Sequence, residues 1–190
     1  MIERVYSQVK KSNALSDVVV ATDDKRIFDT VKAFKGEAIL TSRKHQSGTD
    51  RCAEVSKKIV GYDVIINIQG DEPLIDPKQI NLVANCFNDI ETELATLVKK
   101  IEKKEELFNY NTPKVLLNKK SEAIYFSRQV IPYLKNIAPD DFLNRYTFYN
   151  LHFNLYTLHF NDDRSMRCHY FTMLFIVAMY GIMTFFTNRY

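Results

Sequence analysis

The sequence predicts an α/β fold, a doubly wound and mostly parallel sheet with helices on both faces. Three observations carry this. Strand-length apolar runs alternate with helical stretches over the first half of the chain. The run Val64 to Ile68 is apolar except at Asn67, as expected of a parallel strand buried on both faces. That run stops at Gln69-Gly70-Asp71-Glu72, after which Asp76-Pro77 opens a helix, with Asp as N-cap and Pro at the first helical position.

Taken in order, the opening segment reads as helix to about Ser12, Val18 to Ala21 as strand, and Asp24 to Phe34 as a helix closed by Gly36. Glu37 to Leu40 reads as strand, Asp50 to Ile59 as helix, and Pro77 to Phe87 as helix. Leu94 to Val98, Lys114 to Leu117 and Ala123 to Phe126 read as later strands. Asp23 and Asp24 most simply cap the helix that follows them.

The acids after Ile68 sit in a strand-to-helix loop at the carboxyl end of a parallel strand, where open α/β sheets bind ligands. Turn chemistry alone also accounts for Gly-Asp-Glu-Pro. Asp71, however, is a hard oxygen donor suited to holding Mg²⁺ against a nucleotide phosphate. A second polar cluster, His45 to Arg51 (H-Q-S-G-T-D-R), lies between a strand and a helix that Thr49 or Asp50 can cap. Arg51 fits capping less well. A cation in the first helical turn opposes the macrodipole at a cost of about 0.3–1 kcal/mol, so its placement points to a ligand. Ser47, Gly48 and Thr49 are small enough for a flat base to approach the backbone.

Five runs in this order resemble the sugar-acid cytidylyltransferases, and among them those acting on 3-deoxy-manno-octulosonate (Kdo). They are V-V-V-A-T-D-D at 18–24, H-Q-S-G-T-D-R at 45–51, I-N-I-Q-G-D-E-P at 66–73, N-T-P-K-V at 111–115 and Y-F-S-R-Q-V-I-P-Y at 125–133. The resemblance covers residues 1–149 and implies a sheet of the nucleotide-diphospho-sugar transferase type. It implies transfer of CMP from CTP to Kdo with release of pyrophosphate, Mg²⁺ as cofactor, and a cytoplasmic homodimer serving lipopolysaccharide assembly. Asp71 would hold the metal and Gln69 would contact the sugar acid. Arg51, with Ser47, Gly48 and Thr49, would frame the cytidine. Arg128 would bind the sugar-acid carboxylate as a bidentate pair, with His152 and Tyr156 lining the sugar pocket. A surface or dimer-interface ion pair is the plainer account of Arg128.

Two departures qualify the resemblance. The family precedes M-I-x-x-V-Y with a strand and a basic loop that cradles the phosphates, and this chain opens at Met1-Ile2-Glu3-Arg4-Val5-Tyr6. The expectation is a sheet whose first strand is missing, leaving the neighbouring strands with unpaired backbone groups. From Tyr146 onward only Asp162, Asp163, Arg164, Arg167 and Arg189 are charged, and aromatics concentrate. Apart from an echo at His152 to Tyr156, the family pattern is lost. Residues 1–149 therefore read as an incomplete α/β domain and 150–190 as an aberrant tail of out-of-frame character. As it stands the chain is expected to be a poorly soluble, inactive fragment. A non-catalytic remnant of the same fold, or an enzyme for another sugar acid, is the alternative.

Composition narrows the rest. A net charge of +3 with no basic stripe argues against nucleic acid. Tyr170 to Thr187 carries no formal charge but is only modestly apolar, which argues against a membrane span. Cys52, Cys86 and Cys168 are odd in number and lack metal-ligand spacing, which suits a reducing compartment.

Overall fold

The structure, a computed structural model, describes residues 1–138, 141–151, 155–159 and 182–187. Contacts divide the chain into two compact units, Met1–Ala95 with Asn154–Tyr190, and Thr96–Phe153.

The first unit is a five-stranded sheet flanked by helices. Its elements are α1 (Ile2–Val9), β1 (Asp17–Thr22), α2 (Lys25–Ala33), β2 (Ala38–Leu40), α3 (Gly48–Lys58), β3 (Val64–Gln69), α4 (Pro77–Asn85), and two later strands, β8 (Leu155–His159) and β9 (Ile182–Thr187). The strand order is β2-β1-β9-β3-β8. β1 pairs parallel to β2, while β9 runs antiparallel to both β1 and β3, and β8 antiparallel to β3. The α/β class stands, and β1, β2 and β3 share one direction. β8 and β9 run against them.

Every residue of β1 from Val18 to Thr22 is buried, because helices cover both faces. Val19 and Ala21 pack with Val55 of α3 and Ile65 of β3. Val18 and Val20 point to the opposite face, where α1 and α2 contact β1. There the Tyr6 hydroxyl donates to Val18 O (3.4 Å) and accepts from Glu37 N (3.2 Å). α1 stops at Val9, three residues short of the expected end, and its last turn tightens through Lys11 N to Gln8 O and Ser12 N to Val9 O.

α2 ends differently from the expected glycine closure. Lys35, not Gly36, takes the left-handed conformation (φ 63°). Lys35 N bonds Lys32 O and Gly36 N bonds Val31 O, a Schellman arrangement. Gly36 is needed for space, since a Cβ there would lie 2.5 Å from Phe34 Cε2 and 2.8 Å from Val31 Cγ1. α4 begins as expected, with Asp76 accepting from Lys78 N (2.9 Å) and Pro77 at its start. It ends at Asn85, and Cys86–Asn88 form a 3₁₀ turn.

The expectation of unpaired strands around a missing centre is corrected. β9 lies between β1 and β3 and pairs with both, Asp17 to Ala21 against Phe186 to Ile182 and Val64 to Gln69 against Thr187 to Ile182. Parallel strands held apart need a partner for their inward-facing backbone groups. The run Ile182-Met183-Thr184-Phe185-Phe186-Thr187 has the β-branched and aromatic content to supply one. These six residues belong to the stretch weighed above as a membrane segment. Among the described residues no helix is long and apolar enough to cross a membrane.

The second unit carries an antiparallel sheet of order β4-β7-β5-β6, formed by β4 (Val98–Lys100), β5 (Lys114–Leu117), β6 (Ala123–Ser127) and β7 (Tyr149–Leu151). The strand expected at Leu94 to Val98 begins only at Val98. Its core joins Ile101, Leu107, Leu134, Phe142 and Phe148, drawn partly from α5 (Lys104–Phe108) and α6 (Phe142–Arg145). The compositional boundary at 149/150 falls inside β7.

Replacing Thr184 with proline tests the central place of β9. Proline removes one ladder hydrogen bond from a strand paired on both sides, leaving a buried carbonyl without its donor, at a cost of about 1–3 kcal/mol. Urea unfolding of T184P should show that loss, and an unchanged midpoint would remove β9 from the sheet.

Candidate functional site

Because β1, β2 and β3 run the same way, their carboxyl ends and the loops after them share one edge of the first sheet. Asp23 and Asp24 follow β1, Thr41 and the loop to Ser47 follow β2, and Gly70-Asp71-Glu72 follow β3, which ends at Gln69. Six of the expected site residues therefore fall at one edge: Ser47 before α3, Gly48, Thr49 and Arg51 in its first turn, Gln69 at the end of β3 and Asp71 in the loop after it.

α3 starts at Gly48, two residues before its expected beginning, and the cap is Ser47 instead of Thr49 or Asp50. Ser47 Oγ accepts from Asp50 N (3.1 Å) and donates to Asp50 Oδ2 (2.7 Å), so its hydroxyl is committed to the helix. Thr49 is exposed and Gly48 half-buried.

Arg51 has protein partners that the sequence did not reveal. Its guanidinium donates to Thr41 Oγ1 and pairs with Asp23 at 3.4 Å, and its side chain is only 11% exposed. Asp23 thus offsets the unfavourable field at the start of α3, and burial makes the pair stronger than an exposed one. Asp24 alone caps α2, accepting from Arg26 N (2.8 Å). The Arg26 guanidinium on the same carboxyl, with that backbone bond, lowers the Asp24 pKa to about 2.

Glu54, one turn beyond Arg51, was also missed. It accepts from Ser42 N (2.8 Å), from Lys58 Nζ (2.6 Å) and from the His45 ring. The Lys58 bond is the largest cause, followed by Ser42 N and His45, of a Glu54 pKa lowered from 4.5 to about 2. The cluster ties the loop after β2 to α3. Only the Glu54-to-Lys58 spacing of four hinted at it.

The loop after β3 is formed by Glu72 N to Gln69 O (3.4 Å) and Ile75 N to Glu72 O (3.2 Å). Asp71 is exposed, and among the described residues neither its carboxylate nor the Gln69 amide has a hydrogen-bond partner. No group of three His, Cys, Asp or Glu that could hold a metal occurs among the described residues. A lone unpaired carboxylate nevertheless fits Mg²⁺, which typically takes one or two carboxylates and completes its shell with phosphate oxygens and water.

The remaining expectations lie elsewhere. Arg128 is exposed in the second unit, where Nη1 donates to Tyr110 O (2.9 Å). Tyr156 is described as a backbone position in β8 opposite Asn67, and His152 lies outside the described residues.

Fold and edge together define an α/β protein with a ligand edge at the carboxyl ends of its parallel strands. The chain belongs to the cytidylyltransferase family, whose model matches residues 1–174. It is 53% identical over 161 residues to 3-deoxy-manno-octulosonate cytidylyltransferase of Parabacteroides distasonis, covering 82% of this chain and 63% of that protein. It is 51% identical over 160 residues to the protein of the same name from Bacteroides thetaiotaomicron, again covering 82% and 63%. A solved structure of CMP:2-keto-3-deoxy-manno-octonic acid synthetase complexed with CTP superposes with a TM-score of 0.75 at 35% identity, covering 83% of this chain and 62% of that one. The chain thus spans somewhat under two thirds of the length of the curated relatives it matches.

The Glu54 cluster predicts an acid-sensitive loop. A carboxyl whose folded pKa lies below its unfolded value adds stability above that unfolded value and loses it as pH falls toward the folded one. For Glu54 the window runs from about 4.5 down to about 2. Melting temperature should fall across that window, and E54Q should flatten the fall. Asp24 titrates in the same window, so an equal slope in both proteins would assign the acid sensitivity elsewhere.

Proposed function

We propose that this chain is part of a cytidylyltransferase that transfers CMP from CTP to Kdo and releases pyrophosphate. The observation that carries the reading is the Asp71 carboxylate at the carboxyl end of β3, without a partner among the described residues, in a chain whose relatives bear that name. The anomeric hydroxyl attacks the α-phosphorus of CTP in line. A new P–O bond forms to the sugar, the bond to the β-phosphate oxygen breaks, and the hydroxyl proton is lost. Such a reaction depends mainly on positioning and on neutralising phosphate charge.

Asp71 would hold Mg²⁺, which when bound offsets charge on the triphosphate. Gln69, beside it, would contact the sugar acid. Arg51, fixed by Asp23 and Thr41, would face the cytidine with Gly48 and Thr49, whereas the Ser47 hydroxyl serves the helix cap and contributes backbone alone. Arg128 would take the sugar-acid carboxylate, with Tyr156 and His152 assigned to the same sugar. A cytoplasmic setting and a homodimer belong to the same proposal. That the chain by itself is inactive belongs to the same proposal.

The test uses a chimera that joins to this chain the segments of the Parabacteroides distasonis relative outside the matched region. Pyrophosphate release should require both CTP and Kdo together with Mg²⁺. D71N, which keeps shape and removes charge, should lower turnover by about 10²-fold or more. Near-normal turnover by D71N would refute the metal role, and turnover with another sugar acid in preference to Kdo would refute the substrate. Silence of the chimera would favour a non-catalytic remnant.

In the same chimera, R51A should raise the Michaelis constant for CTP about tenfold, a loss of roughly 1.4 kcal/mol, and leave that for Kdo nearly unchanged. Equal effects on both would assign Arg51 to fold stability through Asp23.

A further inference from the structure

The second unit holds a buried cation that the proposed chemistry does not use. Lys114, in the N-T-P-K-V run, opens β5 and is only 1% exposed. An ammonium taken out of water requires acceptors in place of its hydration. Lys114 Nζ finds two backbone carbonyls, Asn109 O at 2.5 Å and Arg128 O at 3.2 Å, and among the described residues no carboxylate pairs with it.

Those two carbonyls belong to segments joined a second time. Arg128 Nη1 donates to Tyr110 O at 2.9 Å, next to Asn109. The turn they hold is itself built, through Thr112 N to Asn109 O (3.0 Å) and Asn111 N to Asn109 Oδ1 (2.9 Å). Lys114 therefore grips the turn and the Arg128 backbone from inside the unit, while the Arg128 side chain grips the same turn from outside.

This arrangement is expensive. Burial first, and the positive charge of Arg128 second, push the Lys114 pKa down. An apolar side chain at position 114 would avoid both costs. What the ammonium adds is a pair of bonds that join the Arg128 backbone to the turn at Asn109.

We propose that Lys114 is a positioning residue for Arg128, locking its backbone and the 109–112 turn so that the guanidinium meets a sugar-acid carboxylate in one orientation. The inference rests on the reading of Arg128 as the carboxylate binder. A bidentate Arg–carboxylate pair tolerates little angular error, so a loosened Arg128 loses affinity even with its charge intact.

The test uses the 190-residue chain and two NMR-observable groups, the Arg128 guanidinium and the Lys114 ammonium. Without ligand, K114M should broaden or shift the Arg128 guanidinium signals, while unchanged signals would overturn the proposal. With Kdo as the probe, K114M should weaken binding about tenfold and leave CTP binding unchanged. The double variant K114M/R128A should bind no worse than R128A, because Lys114 acts through Arg128, and additive losses would overturn it. If K114M does not fold, the native chain still decides: Kdo should shift the Lys114 ammonium resonance, and R128A, at an exposed position, should abolish that response. A folded native chain in which Kdo moves neither group would refute the sugar-acid reading itself, and Lys114 would then be a structural clip only. Altered Arg128 signals in K114M with unaltered Kdo affinity would spare that reading and refute the positioning role.

Discussion

The first unit depends on the hydrogen-bonding demand at the centre of its sheet. β1 and β3 are almost wholly buried, and they do not pair with each other. Whatever lies between them must satisfy a row of amides and carbonyls on both sides, since buried backbone groups left unpaired are costly. β9 meets that demand with six residues, and the helices on both faces pack on a sheet that is continuous only because it does. Six residues from a stretch that looks out of character by composition thus become part of the sheet.

The ligand edge is organised by charges that compensate one another before any ligand arrives. Arg51 sits where the helix field disfavours it and is held there by Asp23, from the end of a different strand. Glu54 gathers a backbone amide, a lysine and a histidine, and so joins the loop after β2 to the helix that follows. Against this fixed background Asp71 stands apart as a carboxylate with no described partner. Groups paired in this way need not move when a ligand arrives, which is what electrostatic preorganisation requires.

Much of this was legible in the sequence where the signal was local. The Asp76-Pro77 start of α4, the buried β1 and β3 and the polar loops after them follow from short-range patterns that the structure reproduces. Features that depend on distant partners were not legible. Asp23 looked like a helix cap because its true partner is almost thirty residues away, and Gly36 looked like a φ requirement when crowding by Phe34 and Val31 is the reason. β9 was invisible because strand pairing across most of the chain leaves no periodic trace. Lys114 read as an ordinary strand residue, since a period of two reports which face a side chain occupies and not whether two carbonyls await it.

The direction of β9 separates architecture from reactivity. A backbone ladder accepts a partner of either polarity with similar hydrogen-bond energy. A ligand edge does not, because it is built from what leaves each strand at its carboxyl end. Ile182, the first residue of β9, is the one that pairs with Ala21 and Gln69 at that edge, and Thr187 lies at the far end beside Val64. A strand of reversed polarity therefore completes the backbone ladder without adding a carboxyl-terminal strand end to that edge. Tests of folding on this chain consequently interrogate the ladder, and tests of ligand binding interrogate the loops after β1, β2 and β3.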